Sequence, residues 1–214
     1  PMTSIKGYAD LLSKNIGGQL NEQQALFVDV IRANITRMDR LVQDLLDVSR
    51  IESGKLRLEI EPVAPAEITY EATQAFEQAI ALKDQHLHID VSPDLPPVMG
   101  DRGRLIQVLT NLLVNAIKYT AENGRTKISF FDMDENILVE VTDSGIGIPR
   151  EELPRVFERF FRGDKSRSFR EGEGGTGLGL AIVKHIIEAH NQTINVRSTL
   201  GVGTTFAFTL SKAK

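Results

Sequence analysis

The sequence predicts an α+β protein: an N-terminal helical hairpin followed by an α/β sandwich of about five mixed strands with three main helices on one face. Three observations carry this. Apolar residues recur at helical spacing from Ile5 to Ile51. The period changes to two just after Gly54, where Leu56, Leu58 and Ile60 alternate with charged residues. Strand-length and helix-length patterns then follow one another to the C-terminus, as a layered domain requires.

The first helix is expected over residues 2–16, with Ile5, Ala9, Leu12 and Ile16 in step, and Gly17-Gly18 ends it. Asn21 followed by Gln24 has the form of a capping box, opening a long helix to about Ser53. Along it Ile31, Ile35, Met38, Val42 and Leu45 step by four and three, and Phe27, Leu41, Leu46, Val48 and Ile51 widen the stripe. Two helices alone leave that much apolar surface wet, so pairing with a second copy into a four-helix bundle is expected, the alternative being a hairpin packed only on the following domain. The boundary is placed at residue 53, giving a hairpin over 1–53 and a second domain over 54–214.

In the second domain a strand is expected from Lys55 and stopped by Pro62, and then a helix opening at Pro65. A strand near His86–Val91 leads to a proline-rich turn through Pro93, Pro96 and Pro97. Asp101 is suited to cap a helix bearing Leu105, Leu109, Leu112 and Leu113 on its apolar face. Strands near Thr126–Phe131 and Ile137–Thr142 precede a polar stretch over 149–176. A helix over Gly177–His190 and strands near Thr193–Ser198 and Thr204–Leu210 close the chain.

Composition narrows the function. The 214 residues carry a formal net charge of -4, which argues against nucleic acid as a partner. The absence of cysteine excludes disulfides and thiolate metal sites and fits a reducing compartment. No apolar run approaches the roughly 20 residues of a membrane span, so no direct membrane contact is expected of this stretch. A cytoplasmic location is expected, with any anchor carried elsewhere in a parent protein.

Four segments of the second domain bear chemistry. Asn111, Asn115 and Lys118 share one helix face, with amide oxygens suited to Mg²⁺ and a cation one turn on. The same spacing also describes a solvated polar stripe. Asp143-Ser144-Gly145-Ile146-Gly147 follows a strand, placing an acceptor beside a backbone that a flat ligand can approach; a plain turn has the same letters. Gly174-Gly175-Thr176-Gly177-Leu178-Gly179 leads into a helix whose free N–H groups favour phosphate. It lacks the Walker lysine, and no strand precedes it, so neither a P-loop nor a Rossmann turn is read there. Gly201-Val202-Gly203-Thr204 reads alone as a hairpin turn.

In their order, these segments resemble the N, G1, G2 and G3 boxes of the Bergerat (GHKL) ATP-binding fold shared by histidine kinases, gyrase-type topoisomerases, Hsp90 chaperones and mismatch-repair ATPases. Phe157-Glu158-Arg159-Phe160-Phe161-Arg162 resembles the F box of histidine kinases. Leu45–Lys55 resembles the end of their second dimerisation helix, and Pro1–Tyr8 the first helix just after its phospho-acceptor box. The resemblance covers practically the whole chain and implies ATP and Mg²⁺ as ligands. It implies that Asn115 coordinates Mg²⁺ with Asn111 beside it, Lys118 contacts phosphate and Tyr119 stacks by the adenine. Asp143 would bind the adenine amine, with Gly145 and Gly147 shaping the pocket, and Arg162 would hold the terminal phosphate. Gly175, Thr176, Gly177 and Gly179 would let a lid over 149–176 close, with Leu178 anchoring the next helix and Thr204 completing the pocket.

Within that fold, Asn111 stands where the ATPases carry a water-activating glutamate. An amide has no basic electron pair for that task, which favours a phosphotransferase. The resemblance therefore implies the catalytic part of a sensor histidine kinase, homodimeric through its hairpin and served by a response-regulator receiver domain. The family's His-Glu-Leu-Arg-Thr-Pro box aligns its proline with Pro1, so the acceptor histidine would lie upstream and the stretch given would not label itself. None of His86, His88, His185 and His190 has that context. The alternative is a nucleotide-binding dimeric signalling scaffold without phosphotransfer.

Overall fold

The structure is a computed structural model that describes residues 2–52, 57–163 and 176–213. It divides into two compact units, Pro1–Gly54 and Lys55–Lys214.

The first unit is a hairpin of α1 (Met2–Ser13) and α2 (Glu22–Glu52). Helix α1 ends short of the expected residue 16, because Asn15 takes a left-handed φ of 56° and breaks the ladder. The capping box at the start of α2 is reciprocal. Gln24 N–H donates to Asn21 Oδ1 at 2.8 Å, and Asn21 N–H donates to Gln24 Oε1 at 3.0 Å. Across the hairpin Arg32 Nε donates to Asp10 Oδ1 at 2.8 Å. Ala9, Val28 and Ile35 are buried, yet Ile31, Met38, Val42 and Leu45 stay between 43 and 52% exposed. Most of the expected seam is therefore uncovered in a single chain.

The second unit opens with β1 (Glu61–Val63), α3 (Pro65–Gln74), α4 (Glu77–Leu82), β2 (His86–Asp90) and β3 (Val98–Gly100). It continues with α5 (Arg102–Tyr119), β4 (Arg125–Asp132), β5 (Asn136–Asp143), a 3₁₀ turn (Leu153–Arg155), α6 (Gly179–Ala189), β6 (Ile194–Thr199) and β7 (Gly203–Ser211). Five strands form one mixed sheet in the order β2-β4-β5-β7-β6, in which only the β2–β4 pair is parallel. Register and period two place Ile128, Val141 and Phe206 in one row across three strands, all buried. Helix α5 packs on β5 and lies between α3 and α6, so the helices cover one face. Leu105, Leu109, Leu112, Leu113, Ile182 and Ile186 fill that layer at 1% exposure or less.

The expected first strand is corrected. Leu58 and Ile60 lie outside any strand, Lys55 and Leu56 lie outside the described residues, and Pro62 is inside β1 rather than beyond its end. Strands β1 and β3 pair antiparallel in a separate two-stranded ribbon, with Pro62 opposite Met99. Val98 of β3 also bridges Lys212, so β1 is the outer strand, and proline is tolerated on an edge strand where no ladder bond needs its N–H. The proline-rich segment thus leads into a strand, β3, that had no alternating signal.

Asp101 caps α5 as expected, its Oδ1 accepting from Arg104 N–H at 3.0 Å. Its backbone N–H donates to His190 Nε2 at 3.0 Å, while His190 Nδ1 lies 2.7 Å from the Ile186 carbonyl. One buried ring therefore ties the end of α6 to the start of α5, with Nδ1 carrying the proton and Nε2 accepting. His190→Ala orphans the Asp101 N–H and opens a gap. Urea unfolding should show a loss of about 1–3 kcal/mol, with no change in the fold.

Candidate functional site

Period two also governs the site. Asp143 continues the inward row Ile137, Val139, Val141, so its carboxylate points toward the helix-covered face and is half-buried. In register it stands between Thr126 of β4 and Thr204 of β7. Its Oδ1 accepts from Gly145 N–H at 2.8 Å, and the Thr204 N–H also donates to the carboxyl. Burial pushes the Asp143 carboxyl above its ordinary value, and these two N–H donors only partly offset it. An under-solvated acceptor at a strand end is chemically poised for a further donor.

The loop after β5 is pressed against the last turn of α5. Ile146 N–H donates to the Tyr119 carbonyl at 3.2 Å, and a Cβ at Gly145 would stand 2.6 Å from the same oxygen. Gly147 has φ 68°, and a Cβ there would strike the Thr199 carbonyl. The loop is also pinned from the β6–β7 hairpin: Gly201 N–H donates to the Ile146 carbonyl at 2.8 Å, and Ile148 N–H to Ser198 Oγ at 2.8 Å. Thr204 is buried, and its hydroxyl lies 2.9 Å from Ser198 Oγ. Ser198, which the motif reading passed over, is thus the hinge pin between the two glycine loops. Its only sequence signal is its place just before Gly201-Val202-Gly203.

Asn111, Asn115 and Lys118 run along α5 and are all half-buried. Asn111 lies against the first residue of α6, its Oδ1 being 3.6 Å from where a Cβ of Gly179 would be. Asn111 Nδ2 is buried without a hydrogen-bond partner among the described residues, a costly state unless a ligand completes it. Lys118 Nζ sits 4.9 Å from the Tyr119 ring centroid, which couples the cation to the aromatic face. The N-terminus of α6, with its positive dipole end, opens beside Asn111. Leu178 is fully buried at the helix cap, and its N–H donates to the Thr176 hydroxyl oxygen at 3.1 Å.

The two stems of the expected lid meet. Phe160 N–H donates to the Gly177 carbonyl at 2.9 Å, with Phe160 at φ 60° and Gly177 at φ 74°. Phe157 packs edge-on against Phe206 of β7 at 6.1 Å, seating the first stem on the sheet. Arg162 is half-buried near the end of that stem. Gly175 and the lid residues 164–175 lie outside the described residues.

Comparison with known proteins follows this geometry. Residues 100–214 match the family "Histidine kinase-, DNA gyrase B-, and HSP90-like ATPase", and residues 1–54 match the "His Kinase A (phospho-acceptor) domain". The chain belongs to the two-component sensor histidine kinases. The Circadian input-output histidine kinase CikA of Synechococcus elongatus is 32% identical over 208 residues, 96% of this chain and 27% of that protein. This histidine-kinase chain spans about a quarter to a half of the length of the curated relatives it matches. The crystal structure of full-length ShkA in complex with AMPPNP superposes on all of the chain and 44% of ShkA, at 28% identity and TM-score 0.83. Histidine kinase ThkA in complex with response regulator protein TrrA is 28% identical over 99% of the chain and 58% of ThkA, with TM-score 0.69. No helix among the described residues of this kinase chain is long and apolar enough to cross a membrane.

Proposed function

We propose that the second unit binds ATP with Mg²⁺ and that the whole protein passes the γ-phosphoryl to a histidine and then to an aspartate of a response-regulator receiver domain. The observation that supports this reading most is that helix α5 meets both other elements of the site. Its Tyr119 turn is bonded to the loop after the half-buried Asp143, and two turns earlier Asn111, its Nδ2 without a partner among the described residues, lies against the α6 N-terminus. Asp143 accepts the adenine amine, held by Gly145 and by Thr204, which acts through Asp143 and Ser198 rather than on the nucleotide. Gly147 keeps the loop tight against Thr199, and Tyr119 flanks the base.

Asn115, with Asn111 one turn before it, offers amide oxygen to the cation, and Lys118 and Arg162 meet phosphate charge. Mg²⁺ held by these amides would supply positive charge against the phosphates during transfer. Thr176, Gly177 and Gly179 leave the α6 N–H groups open to the phosphates, with Gly175 beyond them in the lid, and Leu178 anchors that helix in the core. An asparagine at 111, where the ATPases of the fold carry a water-activating glutamate, offers no basic pair, which favours ATP being held for transfer. The acceptor histidine is none of His86, His88, His185 and His190. The exposed stripe of Ile31, Met38, Val42 and Leu45 is the face on which the hairpin dimerises. The match to ShkA bound to AMPPNP and to ThkA bound to a response regulator supports nucleotide and partner alike.

Calorimetric titration tests the site. Mg-ATP is expected to bind, and Asn115→Ala is expected to weaken it about tenfold or more in Mg²⁺ while leaving affinity in EDTA nearly unchanged. Absence of binding by the unaltered chain would overturn the reading, and an equal loss in EDTA would remove Asn115 as the metal ligand.

A further inference from the structure

The C-terminal turn of α5 forms one wall of the proposed cleft, and its last four carbonyls need partners because no further helical turn supplies them. Each has one. Ala116 O accepts from Thr120 N–H, and Tyr119 O from Ile146 N–H. The other two are taken by side chains from a remote segment, the turn between α4 and β2. Lys83 Nζ donates to Ile117 O at 2.8 Å and Lys118 O at 3.3 Å, and reaches Thr120 O at 3.4 Å. Gln85 Nε2 donates to Thr120 O at 2.7 Å, Ile117 O at 3.1 Å and Ala121 O at 3.2 Å. Gln85 is 6% exposed, and a lysine here also meets the negative end of the helix dipole.

We propose that Lys83 and Gln85 are positioning residues for base recognition: they fix the Tyr119 turn and, through it, the loop whose Gly145 N–H orients Asp143. The chain of contacts is short. Lys83 and Gln85 hold the carbonyls of Ile117, Lys118, Thr120 and Ala121 on either side of Tyr119, Tyr119 O accepts from Ile146 N–H, and the Tyr119 carbonyl limits the space beside Gly145. Gly145 N–H in turn orients the Asp143 carboxylate. Neither residue touches the nucleotide. Losing the clamp lets the turn fray, and the adenine wall then loses its fixed distance from Asp143.

This inference rests on the nucleotide reading given above, and the test separates the two. Calorimetry compares Mg-ATP with the Mg complex of purine riboside triphosphate, which lacks only the exocyclic amine. The unaltered protein should prefer ATP; binding of neither nucleotide would overturn the nucleotide reading and this inference with it. Lys83→Met should reduce that preference about fivefold to tenfold, and Lys83→Arg, which keeps the donors, should restore most of it. Ile182→Ala, a core variant remote from the clamp, should lower the thermal midpoint while keeping the preference. Should Lys83→Met fail to fold, Lys83→Gln, which retains one donor group, carries the same comparison. An unchanged preference in a folded Lys83 variant, or a fall as large in Ile182→Ala, would show the clamp to be merely structural.

Discussion

Asp143→Asn is expected to lower affinity for Mg-ATP roughly ten- to hundredfold while leaving the ligand-free protein at least as stable as before. A hydrogen bond to a charged group is worth about 1.5–3 kcal/mol, which sets that range. The carboxylate already accepts from Gly145 and Thr204 N–H groups, and it has lone pairs left for an amine. An asparagine has a single acceptor atom and turns an NH₂ toward the rest of the pocket, donor against donor. Stability moves the other way. Burial raises the Asp143 pKa in the folded state, so the folded chain binds the proton more tightly than the unfolded chain. Stability contributed by this group therefore falls as pH rises from the unfolded value through the raised folded one, and at neutral pH the ionised carboxylate is a cost. The amide removes that cost. Isothermal titration read beside urea unfolding at pH 7 and at low pH checks both arms: the stability gain should be present at pH 7 and vanish below the unfolded pKa. A loss of ligand-free stability at pH 7 would contradict the desolvated state of Asp143.

Gly203→Ala should destabilise the second unit by roughly 2–5 kcal/mol, combining backbone strain with overpacking, each of order 1–3 kcal/mol. Gly203 sits at φ 144°, a conformation that side chains rarely adopt, and a Cβ there would collide with the Asp143 carbonyl. The collision is backbone against Cβ, so no side chain can swing away to relieve it. Gly201, also at positive φ (79°), has open space around its missing Cβ. Gly201→Ala should therefore cost only the strain, about 1 kcal/mol. Comparing urea midpoints of the two variants separates steric crowding from strain. Equal losses would show that the approach of the hairpin to β5 is not the constraint.

Much of this was legible in residue order. The alternation read at Leu58 and Ile60 made no strand, whereas the strands around Ile128, Val141 and Phe206 declared themselves because half-buried strands must alternate. The capping residues Asn21 and Asp101 announced their helices through side-chain chemistry that acts within three residues. Pro62 misled, since a proline stops a strand only where its N–H is needed, and pairing with β3 is not visible from β1 alone. Lys83, Gln85, Ser198 and His190 carried no motif. Their partners are 4 to 89 residues away, and nothing near them in the chain distinguishes them from surface polars.

The sequence by itself determined the local conformations, the fold class and the family, because each depends on side-chain period, capping chemistry or a motif contained in a few consecutive residues. Tertiary structure alone decided the surroundings of Asp143 and Asn111. Asp143 is an under-solvated acceptor because β4 and β7 flank it, and the buried Asn111 amide lies against the first residue of α6. Burial and long-range hydrogen bonding are properties of neighbours in space, and chain order does not encode them in any short pattern.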